Sequence, residues 1–137
     1  MNVIDVMAEM AEKLGTITGL RVTPYRPDSL APPAAFPDLP ERITFDGTYR
    51  RGMDQLTMPV VVVVGRVSDR ASHKEILAYA AGSGPSSFKA KLDSSTTNTY
   101  TACDTVTVKT VDFVYVTLSA VNYLAAEFSV DIAGSGS

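Results

Sequence analysis

The spacing of its prolines constrains the fold of this chain more than any other feature. Six of the eight prolines in the 137-residue sequence lie in the segment 24–40. Proline fixes φ and has no backbone N–H, so we expect neither a helix nor an inner strand there. The segment also contains Leu30, Phe36 and Leu39 and is too apolar for a solvated linker. We therefore predict a stiff, extended, proline-rich arm over residues 24–40 that lies against another surface.

The composition is that of one acidic globular domain. The net charge of −3 and the pI near 5.0 argue against sequence-independent binding of DNA or of an acidic membrane. Cys103 is the only cysteine, which excludes an intrachain disulfide. The acidic N-terminal segment lacks the basic region of a signal peptide, and no apolar run is long enough to span a bilayer. We expect one soluble, intracellular domain over residues 1–133, a flexible tail over 134–137 and no membrane contact.

Hydrophobic periodicity predicts two main helices. Apolar residues at helical spacing indicate the first helix over residues 2–14, with Asn2 as its cap. A second helix is predicted over 69–81, and one or two further helical turns over 86–92. In the last segment, Phe88 and Leu92 should point inward.

The strands are predicted as neighbours along the chain. Short strands are expected at 20–23 and 41–45, and a strand over 58–65 contains five consecutive valines and should be central and covered on both faces. Alternating residues near the end of the chain predict a β-hairpin with a bulge or twist near Lys109–Thr110. The predicted fold is α+β, with a mostly antiparallel β-sheet packed with two main helices.

Catalytic and ligand-binding residues form no coherent pattern in the sequence. His73 is the only histidine, and its neighbours Ser72 and Asp69 are typical of a helix start. Cys103 lies beside Asp104, whose charge disfavours a reactive thiolate. One histidine and one cysteine cannot supply the usual zinc ligands. We predict no enzymatic activity, no metal and no cofactor.

Several segments together resemble a known family. An acidic N-terminal helix is followed by Ala-Pro-Pro-Ala-Ala-Phe-Pro, which leads to Ile43–Asp46, and then by Met58–Gly65. Ser68–Arg70 open a helix, Phe88–Ala90 belong to another, and the closing strand contains Tyr123–Val130. In the order and spacing of these elements, nearly the whole chain resembles the tail terminator (tail completion) proteins of long-tailed, non-contractile bacteriophages, especially those that infect actinobacteria.

This resemblance implies a structural virion protein with a tail-terminator-like fold. Such proteins form a hexameric ring on the head-proximal end of the tail tube, stop its polymerisation and join it to the head connector. The implied partners are further copies of the chain, the tail tube protein, the head connector or stopper protein, and genomic DNA that passes through the channel without specific binding. The implied location is the virion tail, after assembly in the host cytoplasm.

A ring gives the proline-rich arm a specific role. A cyclic oligomer needs one patch that meets a different patch on the next subunit. An arm already stiffened by proline loses less entropy when it docks. We therefore predict that the subunit interface includes five residues of the arm: Leu30, Pro32, Pro33, Phe36 and Leu39.

Arg50 and Arg51 lie at the centre of the only basic concentration in the sequence. Asp46 and Asp54 flank them and weaken any net positive patch. Solvated or intersubunit arginines are the favoured interpretation, and a DNA-facing loop is the alternative. In a ring, this pair is a candidate for a channel loop or for contact with the tube or connector.

Other functions remain open from the sequence. A different head-to-tail joining protein, such as a neck adaptor or stopper, would not stop tube growth in the absence of heads. A small-ligand-binding or enzyme domain would be a stable monomer with a sizeable apolar pocket, and the scarcity of convergent titratable groups argues against it. A toxin–antitoxin or regulatory accessory domain is a third class.

Overall fold

Three helices and six strands make up the described part of the chain. The computed structural model describes residues 2–25, 33–45, 53–66, 70–118 and 120–135. The helices are α1 (Val3–Leu14), α2 (Arg70–Ala80) and α3 (Phe88–Leu92). The strands are β1 (Arg21–Val22), β2 (Ala34–Pro37), β3 (Ile43–Thr44), β4 (Met53–Arg66), β5 (Thr105–Leu118) and β6 (Val121–Ser135).

The six strands form one mixed, mostly antiparallel sheet. Its order is β1-β2-β4-β6-β5, and β3 pairs with the first part of β4. Among the described strands, β1 and β2 form the one parallel pair. The predicted α+β class with a mostly antiparallel sheet is therefore confirmed, with a short third helix beside the two main ones.

The valine run explains the central position of β4. Val60, Val62 and Val64 are buried in the core shared with the helices, and Val63 is buried outside that core. Successive side chains of a strand point to opposite faces, so consecutive valines supply apolar surface on both. The predicted central position is confirmed, but full cover on both faces is not, because the described helices pack on one face and Pro59 on the other face lines an open groove. Near the start of β4 the helix-free face becomes exposed, as at Gln55.

The helices share one hydrophobic core with the sheet. Phe88 of α3 stacks on Phe128 of β6 with 4.8 Å between ring centroids, and Tyr79 of α2 lies 5.4 Å from Phe88 in a tilted arrangement. Phe88 and Leu92 are fully buried, as predicted. The other buried helical residues of this core are Val6, Met7, Met10, Leu14 and Ile76.

Both α1 and α3 begin at a capping side chain. Asn2 Oδ1 accepts a hydrogen bond from the backbone N of Ile4 at 3.0 Å, which confirms Asn2 as the predicted cap. Ser87 Oγ accepts from the backbone N of Ala90 at 3.1 Å. These bonds satisfy amide groups that lack an intrahelical partner, and so fix where the two helices begin.

The proline-rich segment differs from the prediction. Residues 34–37 form β2, which pairs with β1 on one side and β4 on the other, so the expectation of no inner strand was wrong. The first three residues of β2 contain no proline, and Pro37 is the last residue of the strand. A strand this short therefore fits between prolines that would interrupt a longer one. Residues 26–32 of the predicted arm lie outside the described residues.

The closing hairpin confirms one prediction and corrects another. The register of β5 and β6 shifts between Val108 and Thr110, where the sequence predicted a bulge. However, β6 continues through Gly134 and Ser135, which pair with Asp54 and Met53, so the flexible tail does not begin at residue 134. Pairing with β4 uses backbone groups, which a Gly-Ser sequence supplies without any hydrophobic pattern.

Gly65, near the end of β4, provides a test of the packing of α2. A Cβ at position 65 would overlap Ser72 Oγ, which is buried at the start of α2. Gly65→Ala should therefore lower the free energy of unfolding by about 1–3 kcal/mol, the usual cost of overpacking. Urea denaturation followed by circular dichroism measures this change.

Ser72→Ala in the same chain removes the overlapping oxygen and should recover most of that loss. Gly82→Ala is the matched control, because no heavy atom lies within 4 Å of a Cβ at that position. An equal loss for Gly65→Ala with and without Ser72→Ala would contradict the proposed contact.

Candidate subunit interface

The hairpin formed by β5 and β6 is much longer than the helix that packs on its edge strand. A 14-residue strand such as β5 spans about 46 Å, whereas the five residues of α3 span about 8 Å. The connection after α3 binds β5 before the bulge: Asp93 Oδ1 accepts from Val108 N at 2.7 Å, and Ser94 N donates to Val106 O at 2.8 Å. The helical layer and the connection after α3 therefore contact the part of β5 that precedes the bulge.

Two aromatic side chains lie on the part of the hairpin beyond that point. Phe113 pairs with Ala126 and Tyr115 with Leu124, so both rings are on the face of the sheet that bears the helices. Phe113 is nevertheless 50% exposed and Tyr115 69% exposed. Two residues that are two apart in a strand share a face, but the sequence does not show how far the helices cover that face.

The same region forms an edge of the sheet. β5 is the last strand in the sheet order and pairs with β6 alone among the described strands. An edge strand presents N–H and C=O groups that another chain can pair with, and exposed aromatic rings are typical of interface centres. We define the hairpin patch as Phe113, Tyr115 and the adjoining edge of β5.

The predicted interface residues of the proline-rich segment are in different environments. Phe36 is 2% exposed and lies within the subunit's own sheet, so it offers no surface to a neighbour and its assignment is corrected. Pro33 is half-buried just before β2, and Leu39 follows β2 and is 76% exposed. The remaining predicted contact residues lie outside the described residues: Leu30, Pro32, Arg50 and Arg51.

The helix-free face of the sheet carries an open groove of about 800 Å³. Its lining is rich in threonines and contains charges of both signs, such as Lys109 and Glu127. Thr57 Oγ1 donates to Asp131 Oδ1 at 3.0 Å across the groove floor. An open, polar surface of this kind differs from the enclosed apolar pockets that usually hold small molecules.

The described residues that the sequence singled out do not assemble into a reactive site, and Asp69 lies outside the described residues. Burial, together with the charges of Glu9 and Asp104, raises the pKa of the Cys103 thiol to about 11, so the thiol is protonated at neutral pH. Ser72 is buried while His73 is exposed, so the two are on different sides of α2. Among the described residues, no group of His, Cys, Asp and Glu could hold a metal ion. None of the helices found in the described ranges is long and apolar enough to cross a membrane.

Glu9 fixes α1 to the loop that precedes β5. Its carboxylate accepts hydrogen bonds from the backbone N of Thr101 at 3.0 Å, from Thr101 Oγ1 at 2.7 Å and from the backbone N of Ala102 at 2.6 Å. Burial raises the pKa of Glu9, but these hydrogen bonds and the charge of Lys13 outweigh that effect and leave it below its ordinary value. The carboxylate is therefore held in its charged form.

Lys13 provides a second attachment between α1 and the same loop. Its Nζ donates to Asn98 Oδ1 at 2.7 Å and to Thr99 O at 2.9 Å, and it lies 4.5 Å from the centroid of the Tyr100 ring. Glu9 and Lys13 thus face the loop, which fixes the rotation of α1 about its axis. The exposed residues of α1, such as Asp5 and Glu12, consequently have a defined direction.

Comparison with known proteins does not assign this geometry to a family. No family model matches the chain, and the comparison with curated proteins finds no match either. Support for a function comes instead from the order of elements in the sequence and from the surfaces described above.

The attachment of Glu9 predicts a pH-dependent contribution to stability. A carboxyl group whose folded pKa is lowered stabilises the fold above its unfolded pKa, and that contribution disappears as the pH falls through the folded value. Glu9→Gln should lower the free energy of unfolding by about 1 kcal/mol at neutral pH, a modest value because solvent screens this partly exposed group. Urea denaturation across the acidic range should show the two proteins converging below the ordinary pKa of 4.5.

Glu41→Gln is the control, because Glu41 is exposed in the loop before β3. Its free energy of unfolding should stay close to that of the original chain. A difference between the Glu9 variant and the original chain that stays constant down to strongly acidic pH would contradict an electrostatic role for Glu9.

Proposed function

We propose that this chain is the subunit of a phage tail terminator, a hexameric ring that caps the head-proximal end of the tail tube, ends its polymerisation and joins it to the head connector. Further copies of the chain, the tube protein and the connector or stopper protein are its partners. Genomic DNA passes through the central channel without specific binding. In this proposal the ring belongs to the virion tail and is assembled in the host cytoplasm.

The observation that supports this proposal most strongly is the hairpin patch. Phe113 and Tyr115 are large, exposed rings on a long pair of hydrogen-bonded strands, and they adjoin the edge of β5. Rings on ordered strands lose little entropy when they bind, so such a patch is suited to contact with another protein. A subunit whose role is assembly needs a surface of this kind.

The position of a second exposed apolar surface supports a cyclic arrangement. Leu39 follows β2, and Tyr25, which is also exposed, follows β1; these strands form the part of the sheet opposite β5. A ring needs two different patches on opposite sides of the subunit, one for each neighbour. The hairpin patch lies on the helix-bearing face at β5, whereas Leu39 lines the groove on the helix-free face, so the two surfaces differ, as a contact between neighbours in a ring requires.

Charge supports passage of DNA rather than retention. The chain has a net charge of −3, and the groove on the helix-free face mixes acids and bases. Tight sequence-independent binding of DNA depends on neutralising many phosphates with Lys and Arg. A channel through which DNA passes without being retained is better served by an acidic subunit with few unpaired basic side chains.

A neck adaptor or stopper is the main alternative, since it also contacts copies of itself and neighbouring rings. The two functions differ in their effect on tube growth. In a polymerisation assay with purified tube protein and no heads, a terminator shortens the tubes and binds at one end, whereas an adaptor or stopper leaves their length unchanged. Tubes of unchanged length with no ring at their ends would overturn the proposal.

The hairpin patch predicts a specific loss of assembly. Phe113→Ser combined with Tyr115→Ser should leave the fold intact, because both rings are exposed, but should remove apolar contact with the next subunit. We expect at least a tenfold weaker association, corresponding to about 1.4 kcal/mol. Sedimentation measures the mass, and electron microscopy measures tube length.

Asp112→Ser is the matched control on the same strand, since Asp112 is exposed and lies on the opposite face. It should assemble and terminate tubes like the original chain. If the double serine variant capped tubes as efficiently as this control, the hairpin patch would not be a subunit contact.

A further inference from the structure

The outer surfaces of α1 and α2 have opposite charge. On α1, Asp5, Ala8 and Glu12 lie along one exposed stripe, and Ile4 beside them is 76% exposed. The other charged residues of this helix, Glu9 and Lys13, are bound to the loop before β5. The outward face of α1 is therefore acidic; we call these four residues the acidic stripe.

The outer surface of α2 is basic. Arg70, His73, Lys74 and Leu77 follow helical spacing on the side opposite the buried residues of α2, and all four are exposed, Leu77 by 61%. Glu75 is turned aside and accepts a hydrogen bond from the Tyr79 hydroxyl at 2.9 Å. We call these four residues the basic stripe.

Arg70 and Glu12 are placed unfavourably for their own helices, whereas Asp5 lies in the first turn of α1, where the dipole favours an acid. Arg70 is the first residue of α2, where the helix dipole favours an acid, and the first turn contains none. Glu12 lies in the last turn of α1, where the dipole favours a base. Within the described ranges, neither Arg70, Lys74, Asp5 nor Glu12 forms an ion pair. An external partner of opposite charge would compensate both placements.

We propose that the acidic stripe of one copy binds the basic stripe of a second copy of this chain. This inference rests on the proposed function, because it identifies a contact between subunits of the assembly. Charge identifies the partner, because each stripe is complementary to the other and the same chain supplies both. Each stripe also carries one exposed aliphatic residue, which provides apolar area between the charges.

The spacing of the two stripes favours antiparallel helices. Ile4 and Glu12 are about 12 Å apart along α1, and Arg70 and Leu77 about 11 Å apart along α2. In the antiparallel register Glu12 meets Arg70 while Ile4 meets Leu77. Lys74 then crosses Ala8, whose small side chain allows close approach of the helices. The antiparallel arrangement also places the negative C-terminal end of one helix dipole beside the positive N-terminal end of the other.

Charge reversal tests this contact. One variant combines Asp5→Lys with Glu12→Lys, and the other combines Arg70→Glu with Lys74→Glu. Each alone has two stripes of like charge and should associate at least tenfold more weakly than the original chain in sedimentation equilibrium at low salt. An equimolar mixture should recover association, because each stripe of one variant then meets an opposite stripe of the other. Recovery on mixing also shows that both variants are folded.

Lys109→Glu and Glu127→Lys are the matched controls, because they reverse exposed charges on the helix-free groove. Neither should change the association. A second measurement uses a variant that carries both Ile4→Cys and Leu77→Cys. A short bismaleimide linker should join copies of this variant into covalent ladders, whereas a variant with only one of the two cysteines should give no ladder. The native Cys103 is buried and does not interfere.

The outcomes separate this contact from the ring. If neither charge reversal changes the association, the contact is overturned and the ring is left in place. The same holds if the two variants do not associate when they are mixed. Recovery of a closed dimer rather than a hexamer would support the contact and count against the ring. An original chain that remains monomeric at about 1 mM in low salt would overturn the contact, because two complementary stripes should associate in that range.

Discussion

Val60, Val62 and Val64 of β4 lie in the one core that the sheet shares with the three helices, and β4 joins the other strands into a single sheet. β2, β3 and β6 pair with it directly, β1 is held through β2, and β5 through β6. The stacking of Phe88 on Phe128 adds the short third helix to the same core. Burial of this apolar surface is the main favourable contribution to folding, and the placement of every exposed surface follows from it.

The helical layer is small compared with the sheet that it covers. Its helices contain 12, 11 and 5 residues, whereas three strands contain 14 or 15. Since a helix advances about half as far per residue as a strand, these helices cannot cover the full length of the sheet. The exposed aromatic rings of the hairpin patch are a consequence of that mismatch. A protein whose function is assembly can use such an uncovered surface, and this is why we favour a structural role over chemistry.

The elements with strong local signals were predicted from the sequence. The periodicity of α1, the valine run of β4 and the change of parity near Lys109 each depend on residues close together in the chain. Predictions failed where the decisive partner was distant in sequence. β2 forms between prolines because β1 and β4 provide partners on both sides, and the Gly-Ser end of β6 is ordered by pairing with Met53 and Asp54. The candidate interface shows the same dependence on distant partners. Phe36 is an aromatic residue of the kind found in interfaces, but it is buried in the sheet of its own subunit.

The sequence alone therefore determined the class of fold, the central strand, the bulge in the hairpin and the acidic character of the chain. These properties follow from hydrophobic spacing and charge, which act through near neighbours. Only the tertiary structure decided which faces remain exposed. Glu9 is bound by Thr101, 92 residues away, whereas Asp5 and Glu12 of the same helix remain exposed. The extent of the helices likewise decides that Phe113 and Tyr115 are uncovered, because exposure depends on how far packed elements overlap and not on the identity of the side chain.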